Sequence, residues 1–159
     1  MIESAVDLGR RFGGLSRLYG EAGARRIATS HVCVVGVGGV GSWAAEALAR
    51  SAVGAITLID LDHIAESNTN RQIHALDGEY GRAKVQAMAS RILAINPCCR
   101  VSTLEDFVSA DNVATLLPRC DLLLDVCFSI SFDTEGLPVD IGDDVQETPI
   151  HSDCNALWH

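Results

Sequence analysis

The chain has 159 residues, a length that suits one domain able to bury a proper core. A 48% hydrophobic content with only 5% aromatics fits an α/β domain built from Val, Ile, Leu and Ala, and no apolar run reaches the ~18 residues that would span a bilayer. The formal net charge of −9 is unevenly spread: residues 1–125 carry all 12 basic and 14 acidic side chains, whereas residues 126–159 carry 7 acids and no Lys or Arg. The first part is therefore nearly neutral, and the low overall pI does not exclude a nucleic-acid partner for it. The opening MIESAVDLGRR has no apolar h-region. The cysteines (Cys33, Cys98, Cys99, Cys120, Cys127, Cys154) show no CxxC spacing, so reduced thiols in a cytoplasmic protein are expected, without a metal cluster.

In chain order, residues 1–30 hold Arg10, Arg11, Arg17, Arg25 and Arg26, interrupted by Gly13, Gly14 and Gly20. Glu21 to Thr29 reads as a short helix. These arginines form either a solvated basic face or guanidinium groups that reach a phosphate. His31 to Val35 is an apolar run of the kind that forms a buried parallel strand. It breaks into Gly36, Gly38, Gly39 and Gly41 and then turns helical, with Val40, Ala44, Ala47 and Leu48 predicted to share the apolar face. A second apolar run, Ala55 to Ile59, ends on Asp60.

Strand, glycine turn, helix, strand, acid is the opening βαβ unit of a nucleotide-binding sheet. Glycines let the backbone approach phosphates, helix N-terminal amides face them, and an acid at the end of the second strand accepts from ribose hydroxyls. The alternative, glycines serving only tight packing, explains neither the helix nor the acid.

The segment from Asp62 to Gly81 reads as a polar, irregular loop over the carboxyl edge of the sheet. Ala83 to Ile95 is predicted helical, with Val85, Met88, Ala89, Ile92 and Ile95 on one face and Asn96-Pro97 as its stop. Lys84 is the one lysine in the chain, an ammonium suited to β- and γ-phosphates. Val101 to Leu104 is a third strand, Asp111 caps a short helix over Asn112 to Leu117, and Asp121 to Val126 is a fourth strand. From Cys127 onward the chain mixes turn formers with acids. Ser129 to Phe132 could extend a strand, the last 25 or so residues are expected to be weakly ordered, and His151, Cys154 and His159 have no ligand spacing.

The phrases RRFGG…RLYG, VVGVGGVGSWAAEALARS, ITLIDLD, NTNRQIHAL and GRAKVQAMASRILAINP, in that order, resemble the ubiquitin-activating-enzyme-like adenylating superfamily. Within it the sequence is most similar to the tRNA threonylcarbamoyladenosine dehydratases, from about Arg11 to Asp125. The resemblance implies a Rossmann-like, mostly parallel sheet with flanking helices. Residues 1–126 would be the ATP-binding domain, with an N-terminal arm over 1–30, and residues 127–159 a divergent acidic tail. It further implies ATP at Gly36, Gly38, Gly39, Gly41, Asp60, Asn68, Arg71 and Lys84. Arg71, Lys84 and Arg17 would act on the reacting phosphates, Arg17 (or Arg11) from the neighbouring subunit of a homodimer. Mg²⁺ and a tRNA substrate are implied, a membrane is not. In such enzymes ATP activates the threonylcarbamoyl carboxylate, which then cyclises with loss of AMP.

Where the family reads Asp-Ala-x-Asp, with the second Asp on Mg²⁺, this chain reads Asp125-Val126-Cys127-Phe128. The break in likeness there is what a shifted reading frame or a truncated variant would give. The chain is therefore expected to bind nucleotide at best. The alternatives are a sulfur-carrier-protein adenylyltransferase, an NAD-dependent oxidoreductase and a non-catalytic nucleotide-binding fragment.

Overall fold

The computed structural model describes residues 6–127, 130–132 and 138–140. Four parallel strands, β1 (His31–Val35), β2 (Ala55–Ile59), β3 (Arg100–Leu104) and β4 (Leu122–Asp125), form one sheet in the order β3-β2-β1-β4. The two central strands are the apolar runs, and β2 is buried along its whole length. That is why they read as continuous Val/Ile/Leu stretches and not as alternating ones. The edge strands β3 and β4 are only partly covered. The strand order reverses direction at β1, so the crevice beyond the carboxyl ends of β1 and β4 is where a ligand binds in such sheets.

Helices α2 (Gly41–Arg50) and α3 (Lys84–Ile95) pack beside each other over one apolar cluster that includes Val34, Ile56, Leu58, Met88 and Ile92. The buried face of α2 differs from the expected one. Gly41, Ser42, Ala45, Glu46 and Ala49 are buried, while Val40 and Ala47 are exposed and Ala44 and Leu48 half-buried. Small side chains let α2 approach the sheet and α3 closely, so volume and not hydropathy chose the face. Glu46 can be buried because it is paired on both sides, by Arg91 of α3 and by Arg50 at 2.7 Å. Burial alone would raise its pKa, but the hydrogen bonds from Arg91 and Arg50 outweigh that and hold the carboxyl below its usual value.

The N-terminal arm is more helical than expected. α1 (Leu8–Thr29) runs through the whole basic stretch and kinks at Gly20, whose φ of 72° and ψ of 166° lie outside the helical region. Asp7 caps it by accepting from the Arg10 amide. Its apolar side lines a cavity of about 330 Å³ with Ala52, Gly54, Asn96 and Cys98, the turns at the amino ends of β2 and β3. α4 (Val113–Leu116) is shorter than expected, and Asn112 takes the place given to Asp111 as its N-cap. The Asn112 amide ties down the preceding loop instead, accepting from Ser109 and donating to the Phe107 carbonyl.

Beyond β4, β5 (Ile130–Phe132) pairs antiparallel with β6 (Pro138–Asp140) in a separate two-stranded sheet. The strand expected near Phe132 thus exists, but with a partner inside the stretch read as irregular. Phe128, His151, Cys154 and His159 lie outside the described residues, as does the rest of the stretch expected to be weakly ordered. Among those described, no helix is long and apolar enough to cross a membrane.

Candidate functional site

The glycine turn can close only because glycines stand at two of its positions. Gly36 leaves β1 with φ at 86°, and its amide donates to the Ile59 carbonyl at 2.8 Å. A Cβ on Gly41 would stand 1.8 Å from the Gly36 carbonyl oxygen, so the turn closes only with glycine there. Gly38 is different, because a Cβ there would meet nothing within 4 Å. Among the described residues the amides of Gly38 and Gly39 have no hydrogen-bond partner. They stand at the N-terminus of α2, where amides attract an anion.

Asp60 grips this turn. One carboxylate oxygen accepts from the Val37 amide at 2.6 Å and the other from the Asp62 amide at 2.8 Å. Each oxygen keeps a further lone pair, so the ribose role expected of Asp60 is compatible with this grip. Lys84 opens α3 and is buried, with a side chain 7% exposed. Its Nζ donates to Asp62 Oδ2 at 2.6 Å, and that carboxylate is 71% exposed. The lysine is thus already drawn to the carboxyl edge by a partner that water can take over.

Arg71 lies on the turn: its Cβ, Cγ and Cδ stand 3.5–3.7 Å from where a Gly39 Cβ would be. Its guanidinium donates to the Ser67 carbonyl at 2.9 Å and to Asn70 Oδ1 at 3.0 Å. Asn68, buried, accepts from the Ala65 amide and holds the 3₁₀ turn Glu66–Asn68 that aims Arg71. Two members of the expected constellation are not brought here. Arg17 is exposed on α1, which packs at the amino edge of the sheet, opposite the glycine turn. Arg11 is engaged elsewhere, donating to the Ile95 carbonyl at the end of α3 at 2.8 Å.

Several groups at the site carried no sequence signal. Cys127 leaves β4 against the turn, its Sγ 2.7 Å from an imagined Gly36 Cβ. Burial, then Asp125, Asp60 and Asp62, push its thiol up to about 11. Cys33, Cys98, Cys99 and Cys120 are free thiols as well. The segment after Arg71 is pinned to α2, Trp43 Nε1 donating to the Arg71 carbonyl at 2.9 Å and Ser42 Oγ accepting from the Ile73 amide. Within it Gln72 and His74 are buried, and Gln72 Oε1 and both His74 ring nitrogens lack a partner among the described residues. The loop expected to be polar and irregular is so, and mostly exposed, but within it residues 71–75 form a packed strap.

The described residues do not offer an all-protein site for the implied Mg²⁺, and position 128, to which the resemblance gives the metal-binding acid, is Phe. No three His, Cys, Asp or Glu side chains converge among them. Asp60 and Asp125 each accept from backbone amides and keep further lone pairs, and Asp62 holds Lys84.

The ThiF family pattern matches residues 11–146. The chain belongs to the ThiF family. The match continues past Asp125, where the resemblance read from the sequence ended. The chain is 62% identical over 105 residues to tRNA threonylcarbamoyladenosine dehydratase of Escherichia coli (strain K12), covering 66% of this chain and 39% of that one. It is 42% identical over 127 residues to the protein of that name from Bacillus subtilis (strain 168), covering 77% of this chain and 50% of the other. Its fold matches the crystal structure of the E. coli enzyme in complex with ATP with a TM-score of 0.74 and 55% identity, over 75% of this chain and 49% of that one. The chain spans about two fifths to half the length of these curated relatives.

His74 makes the fold acid-sensitive. At 2% exposure, burial and then the Lys84 ammonium depress its pKa to about 4, with Arg91 acting the same way and Asp60 and Glu79 opposing. The unfolded chain takes a proton near pH 6.5 and the folded one near pH 4. Stability is therefore full above 6.5 and declines as pH falls from there to 4, by about 3 kcal/mol. Denaturant titrations should show a smaller loss over that window in His74→Leu; an unchanged slope would remove His74 as the cause.

Proposed function

We propose that this chain binds ATP at the glycine turn and is the nucleotide-binding part of an enzyme that activates the carboxylate of threonylcarbamoyladenosine in tRNA, in the cytoplasm. The observation that carries the reading is the pair of cations at the turn, Arg71 over Gly39 and Lys84 poised on an exposed Asp62. A dinucleotide needs the turn and Asp60 but has no use for both cations; a triphosphate does. The free amides of Gly38 and Gly39 receive phosphate oxygens, Asp60 the ribose, and Lys84 exchanges Asp62 for phosphate. The carboxylate attacks the α-phosphorus, pyrophosphate leaves, and the mixed anhydride cyclises with release of AMP. Fixed positive groups and amides stabilise the charge that gathers on the α-phosphate in the first step.

Titration calorimetry should show ATP binding more tightly than NAD. A preference for NAD would overturn the adenylating assignment.

With Phe128 at the position that the resemblance gives to the Mg²⁺-binding acid, we propose that this chain binds nucleotide without efficient turnover. A metal term of several kcal/mol corresponds to at least about a hundredfold in rate. Incubation with modified tRNA, ATP and Mg²⁺, followed by mass spectrometry of the digested nucleosides, should show no product lighter by one water at an enzymatic rate. Its appearance at such a rate would overturn this part of the reading.

The position of Arg17 at the opposite sheet edge supports action across a homodimer and none within one chain. In an equal mixture of Arg17→Ala and Lys84→Ala chains, about a quarter of the sites should regain both residues, since half the dimers are mixed and each has one intact site. Calorimetry showing no recovery on mixing would leave Arg17 a solvated side chain.

A further inference from the structure

The strap that carries Arg71 is fastened to α2 by a tryptophan whose ring is not itself covered. Trp43 is 55% exposed, and Val40, one turn earlier on the same side of α2, is 66% exposed. The indole does not swing freely, because its N–H is committed to the Arg71 carbonyl at 2.9 Å. An exposed aromatic held in place, beside an arginine and one turn from a phosphate cradle, offers what unpaired nucleotides use: a face for the base and positive charge for the backbone. From Gly39 the path is continuous, since the Arg71 stem covers that glycine and the Arg71 carbonyl holds Trp43.

The reaction under Proposed function, on which this inference rests, sets a distance requirement. The carboxylate that attacks the α-phosphorus is joined to the adenine by a short linker, so the base must lie close to the glycine turn. Such a base is first splayed out of its own stack, and an aromatic surface compensates for the stacking it loses.

We propose that Trp43 is the stacking platform for an unpaired purine base of the RNA substrate, with Val40 extending the apolar ledge beside it. The occupant is RNA rather than a protein surface because the ledge is joined through Arg71 to the turn that holds the ATP phosphates, the place where the base bearing the attacking carboxylate has to lie.

The chain has two tryptophans, Trp43 and Trp158, so Trp158→Phe leaves a full-length chain with Trp43 as its one indole. Addition of an oligoadenylate RNA should quench its fluorescence saturably, and a blunt RNA duplex should not. In the otherwise unaltered chain, Trp43→Ala should weaken oligoadenylate binding by about 5- to 150-fold, the range for loss of one stacked base. Trp43→Phe, which keeps an aromatic face, should retain most of the affinity. Circular dichroism confirms that each variant is folded. Equal RNA affinity in Trp43→Ala and the unaltered chain would overturn the platform while leaving the tRNA reading intact. No RNA binding by the unaltered chain would overturn both, while ATP binding is judged separately by calorimetry. Conversion of a dimer to a monomer by Trp43→Ala in sedimentation, with RNA affinity unchanged, would assign the ledge to a second copy of the chain and overturn the proposal.

Discussion

The site depends on one carboxylate, Asp60, which donates nothing and accepts twice. Through the Val37 amide it fixes the turn that leaves β1, and through the Asp62 amide it fixes the chain that leaves β2. Both bonds are short and charge-assisted, the stronger kind. The second sets the direction of Asp62, whose carbonyl receives the Lys84 amide and whose carboxylate receives the Lys84 ammonium. One acid at a strand end thus orders the glycine turn, the start of α3 and the cation beside it. An Asn there could not accept at both oxygens, because one of the two terminal atoms is a donor.

A cradle at the N-termini of two helices works only if the helices cannot drift apart. Glu46 of α2 and Arg91 of α3 tie them in their middles, where the carboxylate is buried and the bond cannot easily be exchanged for water. The strap from Arg71 to Ala75 does the same at the site end, with Trp43 and Ser42 holding it from α2 while Ala75 packs with Ala87 of α3. The α1 arm is tied to the end of α3, Arg11 donating to the Ile95 carbonyl. Arg50, largely exposed, contributes little by comparison.

Much of this was legible in the sequence, because its signals are local. The apolar runs gave β1 and β2 to the residue, the glycine spacing gave the turn, and the 3.6-residue period gave α3. The buried face of α2 was not legible. Hydropathy selects Val40 and Leu48, whereas the packing selects Gly41, Ser42, Ala45 and Ala49 for size and accepts Glu46 because its partners lie on other turns and another helix. Asn68, Arg71 and Lys84 came from resemblance, and the structure gathers them; Arg17 came the same way and sits at the far edge. Trp43, Gln72 and His74 left no trace because burial without a partner, or exposure with one, has no spacing rule. An aromatic inside the first turn of a helix that follows a glycine cradle is the one hint that could have been used.

In the proposed binding of ATP, the setting of Lys84 matters for affinity. A free Lys84 on the surface would lose much of its rotamer freedom on meeting a phosphate, a cost of up to about 2 kcal/mol. Here that freedom is already spent, because the stem is buried and Asp62 holds the tip. On the proposed reading, binding becomes an exchange of one anion for another at a fixed cation. The exchange is favourable because the two anions are unequal. Asp62 is exposed and regains full hydration when released, whereas the phosphate gains amides, Arg71 and Lys84 together. The same proposed exchange would give selectivity: a ligand without a phosphate near Lys84 could not replace Asp62 and would leave the ion pair as it found it.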